Sequence, residues 1–269
     1  MPATQPDADT QTYTDKYGVT MVLGAGHNIS ELLKTQRFYD DEGVLLLGDR
    51  VLRPGMTVMD VGANLGQFTL FAAARVGKRG VVHTFEPASE TYAGLTRNIE
   101  LGRGKLARIV PNRAAVTDTP GKIELHEFAG EYSVWNSMHA HTMKVFVDGT
   151  LRTVQPSRVE QVPAVTLDDY CHRHGIESID LLKVDVEGWE VSVLLGARRI
   201  FAERRCKNLI FEISIEPLKG TPYTAADVLR CAAEMGFAIS RIMDDGSAAP
   251  VDLSSFVAPP FANYFGRAA

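Results

Sequence analysis

The sequence predicts an α/β fold in which a mostly parallel, Rossmann-like sheet carries helices on both faces. Three observations predict it. Short apolar runs alternate with stretches of helical period along most of the chain, as in repeated strand-helix crossovers. The apolar run that starts at Thr57 meets a small-residue turn, Gly62-Ala63-Asn64-Leu65-Gly66, and then the apolar start of a helix at Phe68, Leu70 and Phe71. A second apolar run, residues 81–85, ends in Glu86-Pro87, where strand-end acids hold ribose hydroxyls in nucleotide-binding units.

Composition sets the frame for these elements. At 269 residues and 45% hydrophobic composition the chain has material for one large core. An arm and cover helices are expected over residues 1–53 and the main domain over 54–269, launched by the turn Arg53-Pro54-Gly55. A net charge of −5, with no cluster of Lys and Arg interleaved with aromatics, disfavours a nucleic-acid partner. No run is long enough to span a bilayer, and the polar residues 1–16, read as an arm, lack a signal-peptide profile. Cys171, Cys206 and Cys231 are scattered without C-x-x-C spacing, which fits reduced thiols in a cytoplasmic protein. A homodimer is compatible with all of this.

In order, residues 28–39 read as a capped helix covering the core. Beyond the second strand, Ser89 caps a helix through Tyr92, Leu95 and Ile99, and Gly102 stops it in the left-handed conformation. His83, inside that strand, reads as a core histidine. Residues 108–110 form a third strand, 114–118 a small-residue segment beside which a flat ring can slide, and 122–128 a half-exposed strand. Residues 129–160 show no clear period and read as an acceptor-side insertion, with Trp135, Asn136 and Ser137 able to stack on and hydrogen-bond a sugar. A strand resumes at 159–165, and Thr166 caps a helix that stops at Gly175. Residues 179–184 are a strand, and a helix runs through Val191, Leu194, Leu195 and Ile200. Residues 209–213 are a fifth strand and Thr224 caps a helix to Gly236. Residues 237–243 and 261–265 complete the sheet.

The chemistry follows from strand ends. The pattern D-x-G-A-N-x-G has two glycines rather than the three of dinucleotide binders, and Asp60 would repel phosphate but suit a cationic amine such as that of S-adenosylmethionine. Ligands of parallel sheets gather beyond the carboxyl ends of strands, so Asp60, Glu86 and Asp185 are expected on one rim. Asp185 is the leading candidate for a general base or acceptor-orienting group, with an N-cap of the next helix as its structural alternative. Glu187 serves equally as a second such acid or as a charge stabilising a helix start. Lys183, two residues before Asp185 on one face, is placed for an ion pair or for base activation. Asp185 and Glu212, at the ends of strands expected to be neighbours, could form half of an oxygen-rich Mg²⁺ site. His139 and His141 suit a base by pKa, although loop histidines at this spacing are as readily solvated.

Through Asp60-Val61-Gly62-Ala63-Asn64-Leu65-Gly66-Gln67, Phe85-Glu86-Pro87 and Leu182-Lys183-Val184-Asp185-Val186-Glu187-Gly188-Trp189-Glu190, the chain resembles the FkbM family of S-adenosylmethionine-dependent methyltransferases over roughly residues 54–213. The resemblance implies a class I methyltransferase fold with a seven-stranded sheet, S-adenosyl-L-methionine as cofactor, and O-methylation of sugar or polyketide hydroxyls on a small-molecule or glycoside acceptor. By that likeness Asp60, Gly62, Asn64 and Gly66 line the methionine end, Glu86 holds the ribose, and Ala115 with Asp118 approaches adenine. Ala63 and Pro87 join the same cofactor-binding set. His83 just before Phe-Glu-Pro and the segment from Trp135 to His141 depart from the commonest pattern and leave the acceptor open. Two rivals stand beside this reading. An NAD(P)-dependent oxidoreductase fits the position of Glu86 but not the two-glycine turn, and a non-catalytic donor-binding partner subunit fits the donor motifs alone.

Overall fold

The computed structural model describes residues 11–23, 42–128, 136–138, 143–147 and 150–269. A hairpin of β1 (Gln11–Thr14) and β2 (Thr20–Leu23) precedes helix α1 (Glu42–Val51). Next come β3 (Thr57–Val61), α2 (Gln67–Val76), β4 (Val81–Phe85), α3 (Ser89–Leu101) and β5 (Arg108–Asn112). Five strands are then inserted: β6 (Ala115–Val116), β7 (Gly121–Glu127), β8 (Met143–Val147), β9 (Thr150–Val154) and β10 (Arg158–Val165). The chain returns through α4 (Leu167–His174), β11 (Leu181–Val184), α5 (Glu190–Leu195), α6 (Arg198–Ala202) and β12 (Asn208–Ser214). It ends with α7 (Ile215–Leu218), α8 (Ala225–Glu234), β13 (Phe237–Ile242), β14 (Ala248–Pro250) and β15 (Phe261–Ala268).

The central sheet has the order β14-β13-β15-β12-β11-β3-β4-β5. From β12 to β5 all neighbours are parallel, and β15 runs antiparallel to both β12 and β13. The seven expected strands are joined by the short edge strand β14. Strand order reverses between β3 and β11, which opens a crevice there. Alternate residues along the strands serve the two faces. Met59, Val61, Leu182, Val184 and Phe211 pack with Tyr170, Leu194 and Leu229 of the helices on one side. Val58, Val82, Leu181 and Ile210 pack with Leu45, Phe68 and Phe71 on the other. Such strands read as continuous apolar runs because both faces are covered.

Thr166 and Thr224 cap α4 and α8 through Asp169 and Asp227, and Gly175 closes α4 in the left-handed region. Other local expectations are corrected. Ser89 is the first helical residue, not the cap, and its N–H donates to Glu160 instead. Gly102 is right-handed, at φ −86°, and a Cβ there would lie 2.4 Å from the Leu106 side chain. Asp185 caps nothing, since α5 starts at Glu190 behind Trp189. The helix expected through Ile200 is two helices interrupted at Gly196 and Ala197. Residues 129–160 are not irregular throughout: β8 and β9 pair as a hairpin, and β10 begins at Arg158. Part of the polar arm is also a strand, β1, and its hairpin is tied down by the buried Asn98. That side chain accepts from the Val22 N–H at 2.7 Å and donates to the Leu65 carbonyl at 2.9 Å. The helix expected over 28–39, Trp135, His139 and His141 lie outside the described residues. No described helix is long and apolar enough to cross a membrane.

Candidate active site

A cleft of about 1100 Å³, counted out to its open mouth, occupies the crevice at the strand-order reversal. Its first end is built by backbone. The N–H groups of Gly62 and Ala63 both donate to the Phe85 carbonyl at 3.0 Å, and the Asp185 N–H donates to the Val61 carbonyl at 2.9 Å, so the three sequence motifs are stitched together. Gly62 sits at φ +82°, and a Cβ there would come 1.7 Å from the Asp185 carbonyl oxygen. The absent side chain therefore makes room for the protein's own chain as much as for a ligand.

Asn64, also left-handed at φ +48°, accepts the Leu65 N–H on its side chain at 2.7 Å and donates its own N–H to Glu86 Oε2 at 3.0 Å. Glu86 Oε1 accepts the Ala88 N–H at 3.0 Å. Each carboxylate oxygen thus holds one backbone donor and keeps lone-pair capacity facing the cleft. Burial pushes the Glu86 carboxyl up to about 7, against the two N–H bonds, and the charges of Asp60 and Glu127 add to the rise. Ala114, Ala115 and Val116 give this end a small apolar wall, and Pro87 lies beside it.

The second end is built by side chains. Lys183 Nζ, 5.5 Å above the Phe68 ring, meets Asp185 Oδ2 at 3.0 Å. β11 and β12 run in register from Leu182↔Leu209 to Val184↔Phe211, so the next step sets Asp185 beside Glu212. One oxygen each of Asp185, Glu187 and Glu212 lies within 4.8 Å of the others. Glu187 holds a left-handed conformation at φ +50°, and its carbonyl accepts the Ser137 hydroxyl at 3.2 Å. Burial first, and then the Asp185 charge, push the carboxyls of Glu187 and Glu212 well above the usual range, with Lys183 opposing. Such a trio beside one lysine can hold a cation or accept hydrogen bonds and a proton from a hydroxyl.

Residues 60–239 match the family model of the methyltransferase FkbM domain. The chain belongs to the FkbM methyltransferase family. It is 34% identical over 163 residues to 31-O-demethyl-FK506 methyltransferase FkbM of Streptomyces tacrolimicus, covering 54% of this chain and 60% of that protein. It is 27% identical over 158 residues to 2-O-methyltransferase NoeI of Sinorhizobium fredii, covering 57% and 62%. The crystal structure of methyltransferase FkbM from Methylobacillus flagellatus KT aligns with a TM-score of 0.45 at 15% identity, over 88% of this chain and 60% of that one. The chain thus aligns with about three fifths of the length of these two curated relatives.

Within this FkbM-family fold, Gly62, Asn64, Glu86, Pro87, Ala115, Lys183, Asp185, Glu187 and Glu212 come together on the cleft wall. Asp60, Ala63, Gly66 and Asp118 are not on it. Asp60 is fully buried and accepts the Thr69 hydroxyl at 2.5 Å, and Thr69 in turn meets Thr84 at 2.9 Å, so this acid fixes the start of α2. Gly66 lets α2 approach α3, since a Cβ would reach Leu95 at 2.6 Å. Asp118 is exposed and accepts the Ser192 hydroxyl at 2.8 Å. Sequence reasoning missed Val44, Leu125, Met138, Phe261 and Asn263 on the wall. The last two can be placed only once β15 is known to lie beside β12 in the register Glu212↔Asn263.

Proposed function

We propose that the protein is an S-adenosylmethionine-dependent O-methyltransferase acting on a hydroxyl of a small natural product or glycoside. The observation that supports this reading most is the two-ended cleft, with an anchored Glu86 at one end and a lysine-paired acid cluster at the other. The residues present fit the cofactor. Glu86 offers lone pairs to two vicinal ribose hydroxyls, Ala114 to Val116 suit a flat adenine, and Gly62 with Asn64 leave the wall between them low. The single cation among the described wall residues, Lys183, is engaged by Asp185, which leaves a dinucleotide's pyrophosphate poorly served.

The bound cofactor supplies an electrophilic methyl group. The protein's part is alignment and proton management. Asp185 lies at the strand end, where it accepts the proton or hydrogen bond of the acceptor hydroxyl, and Lys183, 3.0 Å away, holds it in place. Asp185, Glu187 and Glu212 also fit a Mg²⁺ ion by donor type and convergence; held there, the ion would lower the pKa of the acceptor hydroxyl. Transfer of labelled methyl from S-adenosylmethionine into fractionated host extract, with and without EDTA, tests the reading. Label is expected in a hydroxylated small-molecule or glycoside fraction, and EDTA sensitivity would support the metal. Absence of label from every fraction, with S-adenosylhomocysteine still bound, would contradict the enzymatic reading and favour a donor-binding subunit.

A further inference from the structure

Phe261 lines the cleft at its exposed edge. β15 pairs with β12 in the register Glu212↔Asn263 and Ser214↔Phe261. Residues two apart on a strand share a face at a spacing of about 7 Å, and directly paired residues point the same way. Phe261 and Asn263 therefore extend outward the wall that Glu212 begins, and all three line the cleft. Exposure rises along this row: Asn263 is 4% exposed and Phe261 is 44% exposed. The four residues after Phe261 are all buried, so the open ring at the mouth is not a consequence of a frayed strand. It gives the polar floor of the cleft an apolar lip about one residue pair beyond the acid cluster.

Charge narrows what can rest on that lip. The described wall at this end carries Asp185, Glu187, Glu212 and Lys183, with neither arginine nor histidine. Lys183 is 3.0 Å from Asp185. Among the described wall residues, an anionic group next to the reacting hydroxyl would face carboxylates in a partly desolvated site, with Lys183 already engaged by Asp185.

We propose that Phe261 selects the acceptor: a neutral hydroxyl compound whose apolar body lies on the Phe261 ring while the hydroxyl points inward to Asp185. This rests on the methyltransferase reading. Calorimetric binding of S-adenosylhomocysteine is therefore measured first, because its failure contradicts that reading, whereas the later steps test Phe261. To the loaded protein in EDTA, octyl β-D-glucoside and octyl phosphate are titrated separately below their micellar concentrations. The glucoside is expected to bind, and the phosphate at least about tenfold more weakly. Phe261→Ser should weaken glucoside binding about fivefold, Phe261→Tyr should retain it, and Val257→Ser, which removes a more exposed apolar side chain off the cleft wall, should leave it unchanged. Phe261→Leu, which keeps an apolar side chain and removes the ring, should fall between. The proposal is overturned if the glucoside does not bind, if octyl phosphate binds as tightly, or if Phe261→Ser and Phe261→Leu bind the glucoside like the wild type.

Discussion

The two ends of the cleft are made by opposite means. The end proposed for the donor is a product of backbone geometry within residues 60–88: left-handed residues at 62 and 64, paired N–H groups on Phe85, and N–H groups on both oxygens of Glu86. The end proposed for the acceptor draws single side chains from β11, the loop after it, β12, β15 and residues 136–138, tied by Lys183–Asp185 and by the Ser137 hydroxyl on the Glu187 backbone carbonyl. A backbone-built end tolerates little change, because its donors and acceptors have no alternative positions. An end built from side chains on separate strands can change its partner while the strands stay where they are. At Gly62 the two ends press against each other, since a Cβ there would come 1.7 Å from the Asp185 carbonyl oxygen.

The largest expected effect breaks both ends together. Gly62→Ala would force a left-handed alanine against that carbonyl, and urea unfolding is expected to show a loss of about 3 kcal/mol or more. A loss under about 1 kcal/mol would mean that the two loops are not locked together. Lys183→Met separates the ends. Methyl transfer is expected to fall about 100-fold while S-adenosylhomocysteine affinity stays within about threefold, since this lysine serves Asp185. Donor affinity that falls as far as turnover would place Lys183 in donor binding instead.

Glu86 gives the next effect. Glu86→Ala should weaken S-adenosylhomocysteine binding by about 1–3 kcal/mol, the cost of leaving ribose hydroxyls unpaired. Because its carboxyl titrates at about 7, wild-type affinity should rise from below to above that pH, and Glu86→Gln should flatten the profile. A wild-type profile that is flat through pH 7 would remove the carboxylate from ribose binding.

A further effect is on stability. Glu86 and Glu190 both rise from 4.5 to about 7 on folding, mainly by burial. A folded state that binds these protons more tightly than the unfolded chain gains stability below pH 4.5 and loses it as pH climbs from about 4.5 to 7. Unfolding of the ligand-free protein should show that decline, and Glu190→Gln should make it shallower. An unchanged slope in that variant would mean that Glu190 is not held protonated.

The same contrast governs how much was legible in the sequence. The α/β class, the β3 turn, Glu86 at its strand end and the caps Thr166 and Thr224 are encoded by neighbours within a few residues, and they could be read directly. Lys183 and Asp185 were readable as a pair because a strand places i and i+2 on one face. Phe261 and Asn263 were not, because their place depends on which strand β15 chooses and in which register. Where the Asp60 carboxylate points was not legible for a related reason. A strand-end acid in a glycine turn suggests a ligand, but the pleat turns this carboxylate toward Thr69 and α2, and no local pattern distinguishes the two directions.

The most direct measurement pairs two variants in one experiment, following S-adenosylhomocysteine affinity by calorimetry and labelled methyl transfer in extract for Glu86→Gln and Asp185→Asn. The account predicts that Glu86→Gln loses donor affinity, while Asp185→Asn keeps affinity within about threefold and loses transfer by about 100-fold or more. If Asp185→Asn loses donor affinity as Glu86→Gln does, or transfers methyl at the wild-type rate, the division of the cleft into a donor end and an acceptor end is wrong.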